Sequence, residues 1–220
     1  RIFIVTVLAI GDSNVEPGVR GHMGNCAHAF SRAIGHGDAH CWGKGGASNH
    51  WVLANVNKIL DNIEQYSDPV FFVGWTQWER EEWEWEGQDI SVCIGPHFPV
   101  PKELARRYND WRSNMTDSAI QDMRDFWHEL IHNVHVRMTD MDIPHQFWST
   151  YDNFVGMTGD RQLNWNSTFF MPYEINGCMS EWYKSNNIEP IKNDIWHWTD
   201  ENSTIWGNTL ATQYNERMNK

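Results

Sequence analysis

Apolar residues along the chain fall into short continuous runs that alternate with longer stretches at helical spacing. From Ile2 to Ile10 the chain is almost wholly apolar and rich in Ile and Val, and Gly11 and Asp12 close the run. Such a segment suits a strand buried on both faces, as in a parallel sheet. Pro17 then fits a first helical turn, Cys26, Phe30 and Ala33 recur at helical spacing, and Gly35 fits the stop. The segment His36 to Trp42 is read as a short second strand, and Gly43, Gly45 and Gly46 as the loop after it. Trp51, Val52, Val56, Ile59, Leu60 and Ile63 mark an amphipathic helix. Pro69 to Trp75, with Val70, Phe71, Phe72 and Val73 in one run, reads as the central strand. From Trp78 to Pro101 both periods are lost among Trp, Glu, Gly and Pro, which predicts an inserted loop or lid. A long helix is expected from about Asp117 to Met138 and a fourth strand from Ile143 to Trp148, whereas Asn153 to Asn187 carries no assignable pattern. The last helix is clear, with Thr199 as N-cap, Asp200 and Glu201 in the first turn, and Trp206, Leu210, Tyr214 and Met218 on one face. Strands alternating with helices predict an α/β fold with a mainly parallel sheet.

The length of 220 residues suits one domain, 1–220, with the Trp- and Glu-rich insertion at about 78–101. Acidic residues outnumber basic ones, 29 to 17, for a formal charge of −12. That balance argues against nucleic acid or an anionic membrane as partner, since both call for clustered Lys and Arg. Cys26, Cys41, Cys93 and Cys178 form no CxxC pair, so a reduced cytosolic protein and an exported one are both open. The N-terminal apolar run is too short for a membrane span and lacks a small-residue cleavage pattern, so a strand is expected there rather than a signal peptide. No later stretch reaches spanning length, and the expectation is a soluble protein whose oligomeric state is open. The 14 tryptophans would serve equally as core, partner surface or sugar-stacking platforms.

Taken alone, Gly11 Asp12 Ser13 Asn14 reads as turn and N-cap residues. Its place at the carboxyl end of a predicted parallel strand, where ligands collect and helix-start N–H groups favour anions, gives Ser13 a second reading as a nucleophile. Ester hydrolysis through a serine needs a base for the hydroxyl proton, a carboxylate to orient that base, and donors for the oxyanion. His197 and Asp194, three apart before the last helix, supply the base and the acid. Gly46 offers a backbone N–H that no side chain shields.

On these residues the chain resembles the SGNH or GDSL-type serine esterases and lipases. The resemblance rests on Gly11 Asp12 Ser13 Asn14 after the first strand, Gly46 after the second, Gly74 after the third, and Asp194 Ile195 Trp196 His197 before the last helix. It implies a flavodoxin-like three-layer α/β/α sandwich, a Ser13–His197–Asp194 triad, and an oxyanion hole lined by the N–H groups of Ser13 and Gly46. The third block departs from the family pattern of Gly, any residue, Asn, Asp: here it reads Gly74 Trp75 Thr76 Gln77. The family's Asn side chain completes the oxyanion hole, and Thr76 falls at its position with a shorter reach. Losing one such donor typically costs on the order of 10²–10³ in turnover. Asn14, Trp75, Gln77 and Arg80 are the accompanying candidates for substrate contact, with Gln77 and Arg80 also alternative donors.

Two rival motifs are present. His128 Glu129 Leu130 Ile131 His132 fits HExxH, the zinc-peptidase helix, but Asp125 is charged where that helix usually is not and no third ligand follows at the extended spacing. The cluster His22, Cys26, His28, His36, Asp38, His40 and Cys41 has spacings that match no compact metal site. Trp75, Trp78, Trp83 and Trp85 either stack on a sugar or pin the insertion to the core. The leading expectation is therefore a serine esterase without metal or cofactor, acting on a small acyl ester or an acylated carbohydrate, with O-deacetylation of a carbohydrate as one form. A non-catalytic binding or structural module on the same fold is the alternative, and a zinc metallopeptidase through His128, Glu129 and His132 the third reading.

Overall fold

The computed structural model of the chain describes residues 6–16, 25–93, 100–192, 194 and 197–220. Its elements in order are β1 (Thr6–Gly11), α1 (Asn25–Ala33), β2 (His40–Gly43), α2 (Asn49–Leu60), β3 (Pro69–Trp75), β4 (Glu81–Trp85), β5 (Gln88–Val92), α3 (Lys102–Ser113), α4 (Asp117–Asp140), β6 (His145–Ser149), α5 (Met179–Ser185) and α6 (Asp200–Met218). Pro17, His22 and the start of the N-terminal apolar run lie outside the described residues. Four strands pair in parallel in the order β2-β1-β3-β6. The β1 and β3 runs, internal to that order, are continuously apolar because both of their faces are covered.

Alternation along each strand sorts its side chains between two cores. Leu8, Ile10, Phe71, Val73 and Phe147 pack with Val52, Val56 and Ile59 of α2 and Trp127, Ile131, Val134 and Met138 of α4. Val7, Ala9, Val70, Phe72 and Trp148 pack with Cys26, Ala27 and Phe30 of α1 and Trp206, Leu210, Ala211 and Tyr214 of α6. The result is the expected three-layer α/β/α sandwich with flavodoxin-like strand order. All four strands point the same way, so the loops after β1, β2, β3 and β6 open on one edge.

The caps follow from local chemistry. Ser48 caps α2 by accepting from the Trp51 N–H at 3.2 Å, and Thr199 caps α6 by accepting from the Asn202 N–H at 3.3 Å. Met218, expected on the buried face of α6, is 54% exposed at the helix end.

The insertion departs from the expected loop. It forms an antiparallel hairpin, β4 with β5, in the register Trp83↔Ile90 and Trp85↔Gln88. Two residues turn it, Glu86 at φ 51° and Gly87 at φ 77°, the left-handed pair of a tight hairpin turn. Glu-Glu-Trp-Glu-Trp already alternates with the period of a strand, but the density of charge masks it. Trp83 and Trp85 face α3 and build a small third core with Val92, Leu104, Tyr108 and Trp111. They thus pin the insertion, and Trp83 meets Tyr108 and Trp111 edge-on. The stretch 153–187 gains α5 and a single 3-10 turn, Gly159–Arg161. No helix among the described residues is long and apolar enough to cross a membrane.

The long helix α4 buries two of its histidines with its apolar stripe. His135 Nδ1 lies 2.8 Å from His145 Nε2, whose other nitrogen Nδ1 lies 2.8 Å from the Ile143 carbonyl. A carbonyl only accepts, so His145 carries its proton on Nδ1 and His135 donates to its Nε2. Burial, above all, pushes His128, His135 and His145 each down to about 4. A histidine held neutral in the fold and at about 6.5 when unfolded contributes stability that is complete above pH 6.5 and is lost as pH falls toward 4. The loss is expected to be on the order of 1 kcal/mol per group per pH unit in that window. Urea denaturation between pH 7 and 4.5, with the ring titrations followed by NMR, checks this: midpoints near 6.5 and flat stability would refute it.

Candidate active site

β1 delivers the Gly11–Asn14 turn to the carboxyl edge of the sheet, where the Val15 N–H closes on the Asp12 carbonyl at 3.0 Å. Asp12 is 0% exposed, and its carboxylate is fully engaged. Oδ1 accepts from the Asn14 N–H and from Asn14 Nδ2, both at 3.0 Å. Oδ2 accepts from the Thr76 hydroxyl at 3.3 Å and from Arg80 Nη1 at 3.2 Å. A buried carboxylate is tolerated only with such partners, and these come from the Gly11–Asn14 turn and from the exit of β3. The buried Cys26 thiol, held protonated because burial pushes it far up, adds a donor to the Asn14 carbonyl at 3.1 Å. Ser13 is therefore presented on a turn anchored on both sides.

His197 and Asp194 arrive from the other end of the chain. The Ile191 N–H donates to the His197 carbonyl at 2.9 Å and the Asp194 N–H to the Ile191 carbonyl at 2.8 Å. Asp194 Oδ1 and Oδ2 lie 2.9 and 2.8 Å from His197 Nδ1, and His197 Nε2 lies 2.9 Å from Ser13 Oγ. The carboxylate fixes the tautomer: Nδ1 carries the proton, which leaves Nε2 as acceptor for the serine hydroxyl. Ser13 and His197 are 184 residues apart in sequence. The packing of α1 on α6 closes that distance. Gly207 of α6 lies so close to α1 that an added Cβ would stand 2.2 Å from the Cys26 carbonyl oxygen.

The oxyanion candidates fare unequally. Gly46, at φ +66°, sits in a turn closed by the Ala47 N–H donating to the Lys44 carbonyl at 3.0 Å. The Lys44 N–H donates to the Gly11 carbonyl at 3.3 Å, which holds this turn beside the Ser13 loop. Thr76 corrects the expectation placed on it: it is fully buried and its one hydroxyl proton goes to Asp12, so it supplies no free donor. Trp75, a candidate for substrate contact, is buried in the core with its ring edge-on to Phe147. Arg80 is buried as the partner of Asp12, with Nη1 also 3.4 Å from the Ala47 carbonyl. Asn14 turns its amide to Asp12, and Gln77 is half-buried at the β3 exit.

Two residues at this edge escaped the sequence reading. Asn49, buried in the first turn of α2, mimics a strand against Thr76: its Oδ1 accepts from the Thr76 N–H at 2.8 Å and its Nδ2 donates to the Thr76 carbonyl at 3.2 Å. Glu82 of the hairpin accepts from the Ser48 hydroxyl at 2.9 Å. Ser-Asn before an amphipathic helix signals a cap, which locates Asn49 without revealing its partner. Nothing in the Glu-rich run distinguishes Glu82 from its neighbours.

The rival zinc motif is otherwise occupied. His132 Nε2 donates to the Asn164 carbonyl at 3.0 Å, and His128 Nε2 lies 3.0 Å from the Tyr173 hydroxyl. His128 packs against Phe154 within the core. Among the described residues no group of His, Cys, Asp and Glu is arranged to hold a metal ion. With the geometry in view, comparison with known proteins adds no relative: no family model matches the chain, and no curated protein matches it.

Two substitutions test how the site is built. Gly207→Val drives a branched side chain into the α1 backbone; it should cost about 1–3 kcal/mol by overpacking, and the Ser13–His197 hydrogen bond should lengthen or break, as read by denaturation and by the NMR resonance of the His197 ring. Thr76→Val removes one of the four donors to Asp12 and should destabilise by about 1–2 kcal/mol. Unchanged stability in Thr76→Val would show that Asp12 does not rely on this hydroxyl.

Proposed function

We propose that the chain is a serine ester hydrolase acting on small acyl esters, acylated carbohydrates among them. The observation that carries this reading is the continuous relay from Asp194 through His197 to Ser13 Oγ, with each link at 2.8–2.9 Å. The resemblance of the same residues to the SGNH esterases agrees with it.

In this reading Ser13 Oγ attacks the acyl carbonyl as its proton passes to His197 Nε2, and Asp194 stabilises the imidazolium through Nδ1–H. The tetrahedral oxyanion forms toward the N–H groups of Ser13 and Gly46. Collapse expels the alcohol, which takes the proton back from Nε2 and leaves an acyl-serine. Water, deprotonated by the same nitrogen, then attacks the acyl carbon; the bond from that carbon to Ser13 Oγ breaks, Oγ takes the proton from Nε2, and the acid leaves. With Thr76 committed to Asp12, the oxyanion has no side-chain donor at the family's third position, and modest turnover is expected.

That same commitment of Thr76 favours a second reading, a binding module that keeps the fold and the triad geometry without turning over. A fluorophosphonate probe separates the two. Wild-type protein should label at Ser13 and hydrolyse a short-chain acyl ester; Ser13→Ala should lose both while its unfolding transition stays in place. Replacing His197 with Gln should slow both by on the order of 10³-fold or more. Wild type that neither labels nor hydrolyses any acyl ester would leave the binding module as the better account.

A further inference from the structure

The turn that carries Gly46 is built for mobility by its sequence, Lys44 Gly45 Gly46 Ala47 Ser48, yet an oxyanion donor works only if it is held in place before the charge forms. The hairpin supplies the restraint. Glu82 on β4 stands opposite Ser91 on β5. Its Oε1 accepts from the Ser91 hydroxyl at 2.6 Å and from the Ser48 hydroxyl at 2.9 Å. Lys44 Nζ donates to the same Ser91 hydroxyl oxygen at 2.7 Å and lies 3.7 Å from Glu82 Oε2. Lys44 and Ser48 are the two residues that bracket Gly45–Gly46–Ala47. Both Ser48 and Ser91 are buried, so their bonds to Glu82 are shielded from competing water.

We propose that Glu82 is the positioning residue of the oxyanion turn, its carboxylate clamping Lys44 and Ser48 on either side of Gly46. The proposal rests on the esterase reading and deepens it. The insertion is then a working part of the site rather than a cover over it: the packing of Trp83 and Trp85 against α3 fixes the hairpin, the hairpin fixes Glu82, and Glu82 fixes the N–H that meets the oxyanion. Arg80, at the hairpin's entry, reinforces the same turn through the Ala47 carbonyl.

The test compares wild type, Glu82→Ala and Glu82→Gln by ester kinetics, Ser13 labelling rate and amide hydrogen exchange of residues 44–48. Glutamine keeps an oxygen for the two serine hydroxyls but loses the charge facing Lys44 and turns an amide NH2 toward it. In Glu82→Ala, kcat and labelling should fall about tenfold or more with KM changed less than about threefold, because the lost contact acts on the transition state. The Gly45–Ala47 amides should exchange faster, and Glu82→Gln, which keeps the serine bonds alone, should fall between wild type and Glu82→Ala in both effects. A role confined to docking the hairpin would lower stability and leave kcat untouched. A folded Glu82→Ala enzyme with kcat within about twofold of wild type overturns the proposal. If that variant does not fold, Glu82→Gln and Lys44→Met, which both break the ionic arm of the clamp, should each lower kcat about threefold or more and speed exchange of the same amides; kcat within about twofold of wild type in both overturns the proposal. Failure of the esterase reading looks different: wild type itself then neither labels nor turns over, while hydrogen exchange still reports whether Glu82 orders the turn.

Discussion

The carboxylate of Asp12, shut away from water at the edge of the sheet, constrains everything around it. Removing an ion from water costs several kcal/mol even after relaxation, and a buried charge that loses its partner destabilises by about 3–5 kcal/mol. Asp12 avoids that penalty with four donors from Asn14, Thr76 and Arg80. The turn that presents Ser13, the exit of β3 and the entry to the hairpin therefore cannot move apart independently. Thr76 stands where the SGNH pattern has an Asn, and its hydroxyl donates to the Asp12 carboxylate.

A second constraint acts at longer range. The two ends of the relay precede α1 and α6 in the chain, and those helices pack closely on one another. Gly207 permits the closest approach, and Trp206, Leu210 and Tyr214 on α6 meet Phe30 and the β-sheet beside it. Core packing and site geometry are then one problem. Interiors are too dense to absorb an extra side chain at that crossing without shifting a helix.

The histidines of α4 have the spacing of a zinc helix, but their rings are engaged elsewhere in the fold. Spacing of four puts His128 and His132 on neighbouring turns of one face, as a zinc helix needs. The tertiary structure turns that face toward Tyr173, Asn164 and Trp165, and each ring finds an oxygen or an aromatic neighbour there. The pattern is local, but what a ligand set requires is convergence from elsewhere, and the facing segment provides none.

Sequence alone determined the layered α/β character, because apolar runs too continuous for a one-sided strand, alternating with amphipathic helices, leave few other ways to bury both. It also determined the chemistry on offer, since Ser13, Asp194 and His197 sit at strand ends and a helix start that local patterns mark. The tertiary structure decided the rest, and for one reason: a hydrogen bond between distant segments leaves no periodic trace in either. So Thr76 and Arg80 pair with Asp12, Trp75 packs in the core, and the Trp- and Glu-rich insertion is a hairpin whose Glu82 reaches the turn around Gly46. The residue types at these places limited what bonds were possible; only the packing of helices on the sheet fixed which of them formed.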